Sequence, residues 1–186
     1  MFLINNRNLR WLLLAAATAA VLWLWQQQGS TESPKEESAA GADYSLRDAT
    51  LSQYQEDGSP RYVIAADTIE HLPTTAVYEL ETLQLDWLPG TQNRWVMDAT
   101  RGEMDDSRSE LLLYDGIIAK HKAKSGLVTV ITETLTIMPD EQKATTKQHV
   151  EIESTLGRIS GASADIDLSS DLVQLYGGVQ GTYAAR

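Results

Sequence analysis

The sequence contains no cysteine, which excludes disulfides, thiol nucleophiles, cysteine-ligated metals and a lipid-modified N-terminal cysteine. It is also short of cations: 15 Lys and Arg stand against 26 Asp and Glu among 186 residues, a net charge of −11. Nucleic acid demands a basic footprint, so that class of partner is excluded. No Gly-x-Ser-x-Gly, P-loop, His-x-His or His-Glu-x-x-His spacing occurs, so nothing points to an enzyme, a cofactor or a metal. His71, His121 and His149 read as three unrelated surface histidines. Glu103, Asp105, Asp106 and Glu110 read as a solvated hairpin turn rather than a cation site. After Gly29 no segment joins a 3.6-residue apolar repeat to helix caps. ELETLQLDWL comes nearest, and Pro89-Gly90 closes it early.

What is present begins with WLLLAAATAAVLWLW, residues 11–25, without a charge. At ~1.5 Å per residue this makes roughly 22 Å of helix. Leu9 and the uncharged Gln26, Gln27 and Gln28 extend it towards the ~30 Å of a bilayer core. A cleaved signal peptide would place a small-x-small site directly after the apolar run. Here Trp23 and Trp25 occupy that place, and the Ala-rich SAAGA comes only at residues 38–42. Trp at both ends, with Arg7 and Arg10 ahead of the run, indicates an uncleaved anchor whose N-terminus stays in the cytoplasm. The expected organisation is a cytoplasmic 1–8, a transmembrane helix 9–28, a flexible polar linker 29–42 and a folded domain 43–186 beyond the membrane.

Inside that domain the period is two. RYVIAAD sets Tyr62, Ile64 and Ala66 on one face, and ETLQLDWLPG alternates Leu83, Leu85 and Trp87 against Thr82, Gln84 and Asp86. GLVTVITETLTI and HVEIES continue the habit with β-branched residues. The pattern also repeats. RGEMDDSRSELLLYDGIIAKH is echoed by ASADIDLSSDLVQLYGGVQGTY, and the apolar run from Leu111 to Tyr114 stops at Asp115-Gly116. Ala65, Ala99, Thr132 and Ala162 open units spaced 34, 33 and 30 residues apart. Each unit reaches an apolar or β-branched residue 17 or 18 positions later: Leu83, Ile117, Val150 and Val179. A two-strand unit cannot bury its apolar face alone. Stacking the units predicts an all-β, tube-like or V-shaped antiparallel sheet pair with an apolar interior open at both ends. Alternation points Tyr62, Ile64, Leu83, Leu85, Met97, Tyr114, Val130 and Ile152 inward. Leu172, Val173, Leu175, Val179 and Tyr183 fall in a last strand pair whose bare edge calls for a partner strand.

With its anchor, its linker and the units DGSPRYVIAADTIEH, WVMDATRGEMDDSRSELLLYDGI and LGRISGASADIDLSSDLVQLYGGV, essentially the whole chain resembles the LptC family. These are single-pass inner-membrane components of the Gram-negative lipopolysaccharide export machinery. The resemblance implies a β-jellyroll, held in the periplasm, that accepts lipopolysaccharide from an inner-membrane ABC transporter. It would pass the lipid through an apolar groove to the periplasmic bridge protein LptA, with no cofactor. Burial at ~25 cal/mol per Å² suffices to hold acyl chains without covalent chemistry. The eight inward residues would then be lipid contacts, and the C-terminal edge would pair with the first strand of the bridge. The resemblance also aligns Gly157 with a family glycine near that edge, where substitution is expected to impair transport. Gly157-x-x-x-Gly161 suits a turn or bulge between HVEIES and SADIDL. Two other readings share the same pattern. One is an anchored β-scaffold that tethers partners without carrying lipid and has a packed core. The other is a carbohydrate-binding module, which would need Trp87 and Trp95 exposed.

Overall fold

The computed structural model describes residues 41–183 apart from Pro89, Ser125 and Asp171; the expected anchor and nearly all of the expected linker lie outside the described residues. Every regular element among the described residues is a strand. They are β1 Tyr44–Tyr54, β2 Pro60–Leu72, β3 Val77–Trp87, β4 Trp95–Asp105, β5 Leu111–Ala123, β6 Gly126–Met138, β7 Lys143–Thr146, β8 Val150–Ser154, β9 Gly157–Gly161, β10 Ser163–Asp167, β11 Val173–Tyr176 and β12 Gln180–Tyr183. ELETLQLDWL belongs to β3, as its alternation requires.

The strands β1 to β6 pair antiparallel in chain order. Each resets its alternation midway. In β2 the buried positions are Tyr62, Ile64 and Ala66, then Ile69; in β3 they are Leu80, then Leu83, Leu85 and Trp87. In β5 they run Leu111 and Leu113, then Ile117, Ala119 and His121. Asp48, Thr82 and Asp115 take positive φ at these resets (47°, 48° and 66°), next to Gly116 at 85°. An extra residue of this kind bends a strand and lets both halves present the same face inward. Asp tolerates the conformation; β-branched Thr82 does so under strain.

Each long strand therefore serves two layers joined along one crease. Beyond β6 the layers separate. The part of β6 from Val128 to Thr132 pairs with β8, and β8–β9–β12 extends the first layer. The part from Thr136 to Met138 pairs with β7, and β7–β10–β11 extends the second.

The internal repeat marks the crease. Leu83 stands opposite Ala66, the neighbour of the opening Ala65, and opposite Ala99 on its other side; Ile117 stands opposite Thr132, and Thr132 opposite Val150. The spacing seen in the sequence is thus the interval between successive crossings of the bend.

Three expectations are corrected here. The strand containing Leu111 to Tyr114 does not stop at Asp115-Gly116 but runs on to Ala123, because that dipeptide is the bulge and not a turn. The segment from Gly157 to Gly161 is itself strand β9 and not a turn; HVEIES and SADIDL lie on different layers. The last two strands do not pair with one another. β11 pairs with β10 and β12 with β9, one on each layer.

Candidate functional site: the apolar interior and its rim

Inward side chains line up across the strands. Leu51, Ile64, Leu85, Met97, Ala119, Val130, Ile152 and Ile159 occupy successive registers from β1 to β9. With strands ~4.8 Å apart, seven intervals make an apolar track of roughly 34 Å. Five of the eight residues expected inward lie on this track: Ile64, Leu85, Met97, Val130 and Ile152. Leu83 stands at the crease and Tyr62 at the rim, both buried. Tyr114 does not belong with them. It lies on the outer face, its ring under the Arg101 guanidinium at 5.1 Å and its hydroxyl donating to Glu103 Oε1 at 3.1 Å. The cause is the Asp115-Gly116 bulge. Leu113 faces inward, so its neighbour Tyr114 cannot.

At the rim, one register holds Tyr62, Trp87, Trp95 and His121 on four adjacent strands. Tyr62 stacks on Trp87 at 5.8 Å between centroids, and Trp95 on His121 at 4.6 Å. Both Trp side chains belong to residues 0% exposed, so neither is a platform for a sugar. Their indole nitrogens find no hydrogen-bond acceptor among the described residues. A buried unmet donor costs about 1–3 kcal/mol, so this rim carries a local cost inside an otherwise apolar wall. The sequence showed the Trp alternation but had no signal for these unmet donors.

The rims of the two layers meet in a seam closed by polar contacts. Arg61 Nη1 donates to Asp140 Oδ1 at 2.9 Å, Arg108 Nη1 reaches Gln53 Oε1 at 3.5 Å, and Asn93 Nδ2 donates to the Ser169 carbonyl. The first two join a strand end of the first layer to a turn of the second, and the third joins the β3–β4 turn to the β10–β11 turn. All three lie at the exposed surface, where an ion pair such as Arg61–Asp140 contributes about 0–1 kcal/mol. Behind them Ile64, Trp87, Met97 and Val130 have no exposed surface, so the interior is filled and shut in this conformation.

The three histidines are not a uniform surface set. His121 is buried, with Nδ1 3.0 Å from the Arg94 carbonyl oxygen. His149 is exposed, and its carbonyl accepts the Thr132 hydroxyl at 3.0 Å. His71 bridges two carboxylates, with Nδ1 2.7 Å from Asp43 and Nε2 2.9 Å from Asp106. It stacks on Tyr44, whose hydroxyl is pushed up to about 12 by its hydrogen bond with Tyr78 and by desolvation.

The Asp43 hydrogen bond, opposed by desolvation and aided by Asp106, raises the His71 pKa above 6.5. A raised histidine contributes stability fully below its unfolded value and loses it as pH rises through the folded value. Thermal unfolding of the chain from pH 6 to pH 9 should therefore show a decline that His71→Gln lacks. Parallel curves for the two proteins would refute the bridge.

Asp105 is committed to the turn. Burial pushes its carboxyl up, but Ser107, the Glu110 N–H and Ser109 more than offset this and hold it below the usual range. Among the described residues no cluster of His, Asp and Glu is placed to hold a metal.

At the C-terminal side, Gly157 has φ +143° and opposes Tyr183; a Cβ here would stand 2.1 Å from the Thr182 oxygen. Leu172, Val179 and Tyr183 are 51%, 52% and 72% exposed, while Val173 and Leu175 pack partly against the core. Among the described residues β11 has one ladder partner, β10, and β12 likewise one, β9.

Comparison with known proteins places this architecture. The sequence model of the family described as lipopolysaccharide-assembly, LptC-related matches residues 11–184. No curated protein matches the chain in sequence. Among solved structures, the chain is similar to LptH from Pseudomonas aeruginosa, an LptA-homologous periplasmic component of the lipopolysaccharide transport device. The TM-score is 0.53 at 7% identity, over 67% of this chain and 95% of LptH. At that identity the likeness shows the fold alone.

Proposed function

Since the chain belongs to the LptC-related family of lipopolysaccharide-assembly proteins, with a part in lipopolysaccharide transport, we propose that its β domain carries the lipid along its interior. The reading is that it takes lipopolysaccharide from an inner-membrane ABC transporter and hands it to a periplasmic bridge protein such as LptA. Residues 9–28 would hold it in the inner membrane as a single-pass anchor, residues 29–42 would act as the linker, and the domain from residue 43 would stand in the periplasm. The observation that carries this reading is the unbroken apolar track from Leu51 to Ile159, which reaches from one edge of the first layer almost to the other.

Acyl chains need a continuous water-excluding surface, and each buried methylene contributes ~0.8 kcal/mol without any bond being formed. Because the interior is shut, the layers must part to admit lipid. The weak contacts of the seam, lying over an apolar filling, are the place where parting costs least. Docking follows from the two-layer edge. This chain's own β1 is a bent strand that pairs with β2 across both layers. A bridge protein of the same fold would offer an equivalent first strand, which could pair with β11 and β12 together.

The filled interior also favours a second reading, a scaffold that tethers partners by strand pairing and never carries lipid. Photocrosslinking separates the two. Photoreactive residues at Ile64, Leu85, Met97 or Val130 are expected to capture lipopolysaccharide in cells. Outward Gln84, Asp86 and Tyr114 are expected to capture far less, because their side chains face away from the apolar track. Equal capture from both sets would leave only the scaffold.

A further inference from the structure

In a strongly acidic protein, one cleft is lined by cations and by no carboxylate among its described lining residues. It lies between the β3–β4 turn and the β5–β6 hairpin, has a volume of about 710 Å³, and carries Arg94, Lys120, Lys122 and Lys124. Arg94 is held by Asp86 at 2.8 and 2.9 Å, and Lys120 by Asp98 at 3.4 Å. These two carboxylates fix the inner pair of cations from outside the cleft wall. Lys122 and Lys124 are exposed and make no ion pair among the described residues. A wall that carries charge of one sign favours a bound anion.

The position of the cleft says what kind of anion. Asn93, which lines it, makes the seam contact with Ser169, and His121, which also lines it, stacks on Trp95 at the rim of the apolar interior. Lys120 and Lys122 alternate with the inward Ala119 and His121, so the cations stand on the outer face at the rim, and an anion seated here borders the apolar interior at the strand ends, a placement that suits an amphiphile. Lysine suits phosphate as a compact point charge with three donors.

We propose that this cleft is a headgroup site: Lys122 and Lys124, backed by Arg94 and Lys120, hold a phosphate of the lipid whose acyl chains enter past Trp95 and His121. The inference rests on the lipid-carrying reading above and names the place where the lipid's charged end stays. Anchoring the head at the seam leaves the chains to exchange between molecules while the charge is retained.

The test measures binding of phosphorylated lipid A, of the same lipid dephosphorylated, and of inorganic phosphate to the full chain in a non-ionic detergent. The unmodified chain should bind phosphorylated lipid A about tenfold more tightly than the dephosphorylated form, a preference that shrinks as salt rises. Lys122→Gln with Lys124→Gln should erase the preference without changing affinity for the dephosphorylated lipid. Lys122→Arg with Lys124→Arg should keep it, and so should Lys147→Gln, away from the cleft. Competition by inorganic phosphate at lipid-equivalent concentration would overturn the assignment to a lipid headgroup. Equal affinity for both lipids, unchanged by the glutamines, would overturn the cleft and leave lipid carriage standing. An unmodified chain that binds neither lipid would sink lipid carriage itself, and this inference with it.

Discussion

Gly157→Arg is expected to release β12 while the rest of the domain stays folded. Any side chain at this position must displace the Thr182 carbonyl, 2.1 Å from a Cβ, and the Tyr183 Cα at 2.9 Å; both are backbone, so the strand itself has to move. The φ of +143° adds strain for every residue with a Cβ. Four registers join β12 to β9. At ~1 kcal/mol net per main-chain hydrogen bond, losing them costs roughly 2–4 kcal/mol, a loss that the large core elsewhere withstands. Hydrogen exchange at residues 180–183 should become fast, circular dichroism should remain that of a β protein, and capture of a bridge protein should fall more than tenfold. Gly58→Ala is the comparison: it also replaces a glycine of positive φ (82°), but its Cβ would meet nothing within 4 Å. That variant should lose about 1 kcal/mol and none of the docking. Protected amides in β12 of the arginine variant would refute the steric argument, and collapse of the whole domain would reduce Gly157 to a folding residue.

Deleting residues 172–186 is expected to have the larger effect on docking, taking bridge capture below detection while association with the inner-membrane transporter persists. The deletion removes β11 and β12 together and so withdraws the edge of both layers at once. A single strand could be compensated by pairing on the other layer; the loss of both cannot. There is a structural cost as well. β11 packs Val173 and Leu175 against a core that includes Ala164 and Ile166, so the truncated domain should melt several degrees lower. Docking is therefore read at a temperature where the truncated domain is folded. A truncated chain that still captures the bridge would reverse the orientation, placing the bridge at β1. Loss of both partners together would show that the two edges are not independent.

Much of this fold is legible in the sequence because strand pattern is a local property. Alternation in RYVIAAD and LQLDW needs only neighbours along the chain, and both segments bury the residues that alternation selects: Tyr62, Ile64, Leu83, Leu85 and Trp87. The repeat from Ala65 to Val179 was visible as a spacing, and its regularity announced stacked units without revealing that the spacing tracks a bend. Tyr114 shows where local reading stops. A period of two carries no memory past an inserted residue, so alternation turns the side chain before the Asp115-Gly116 bulge to the wrong face and Val130, clear of a reset, to the right one. For the same reason LVQLYGGVQGTY reads as one hairpin although its two strands close different layers.

Alternation and a regular spacing suffice to make this a β protein of strand pairs with an apolar face, and the same residues carry the family resemblance that implies a glycine near the C-terminal edge at Gly157. Which way the two halves of each bent strand face, that the interior is shut, and that His121 lies buried against Trp95 emerge from the folded chain alone. So do the meeting of Arg61 with Asp140 across a separation of 79 residues and the sharing of one cleft by Arg94, Lys122 and Lys124. The physical reason is the range of the interactions. Alternation and turn chemistry act over a few residues, whereas a seam, a rim and a charged cleft exist only after the chain has bent back on itself and brought distant turns together.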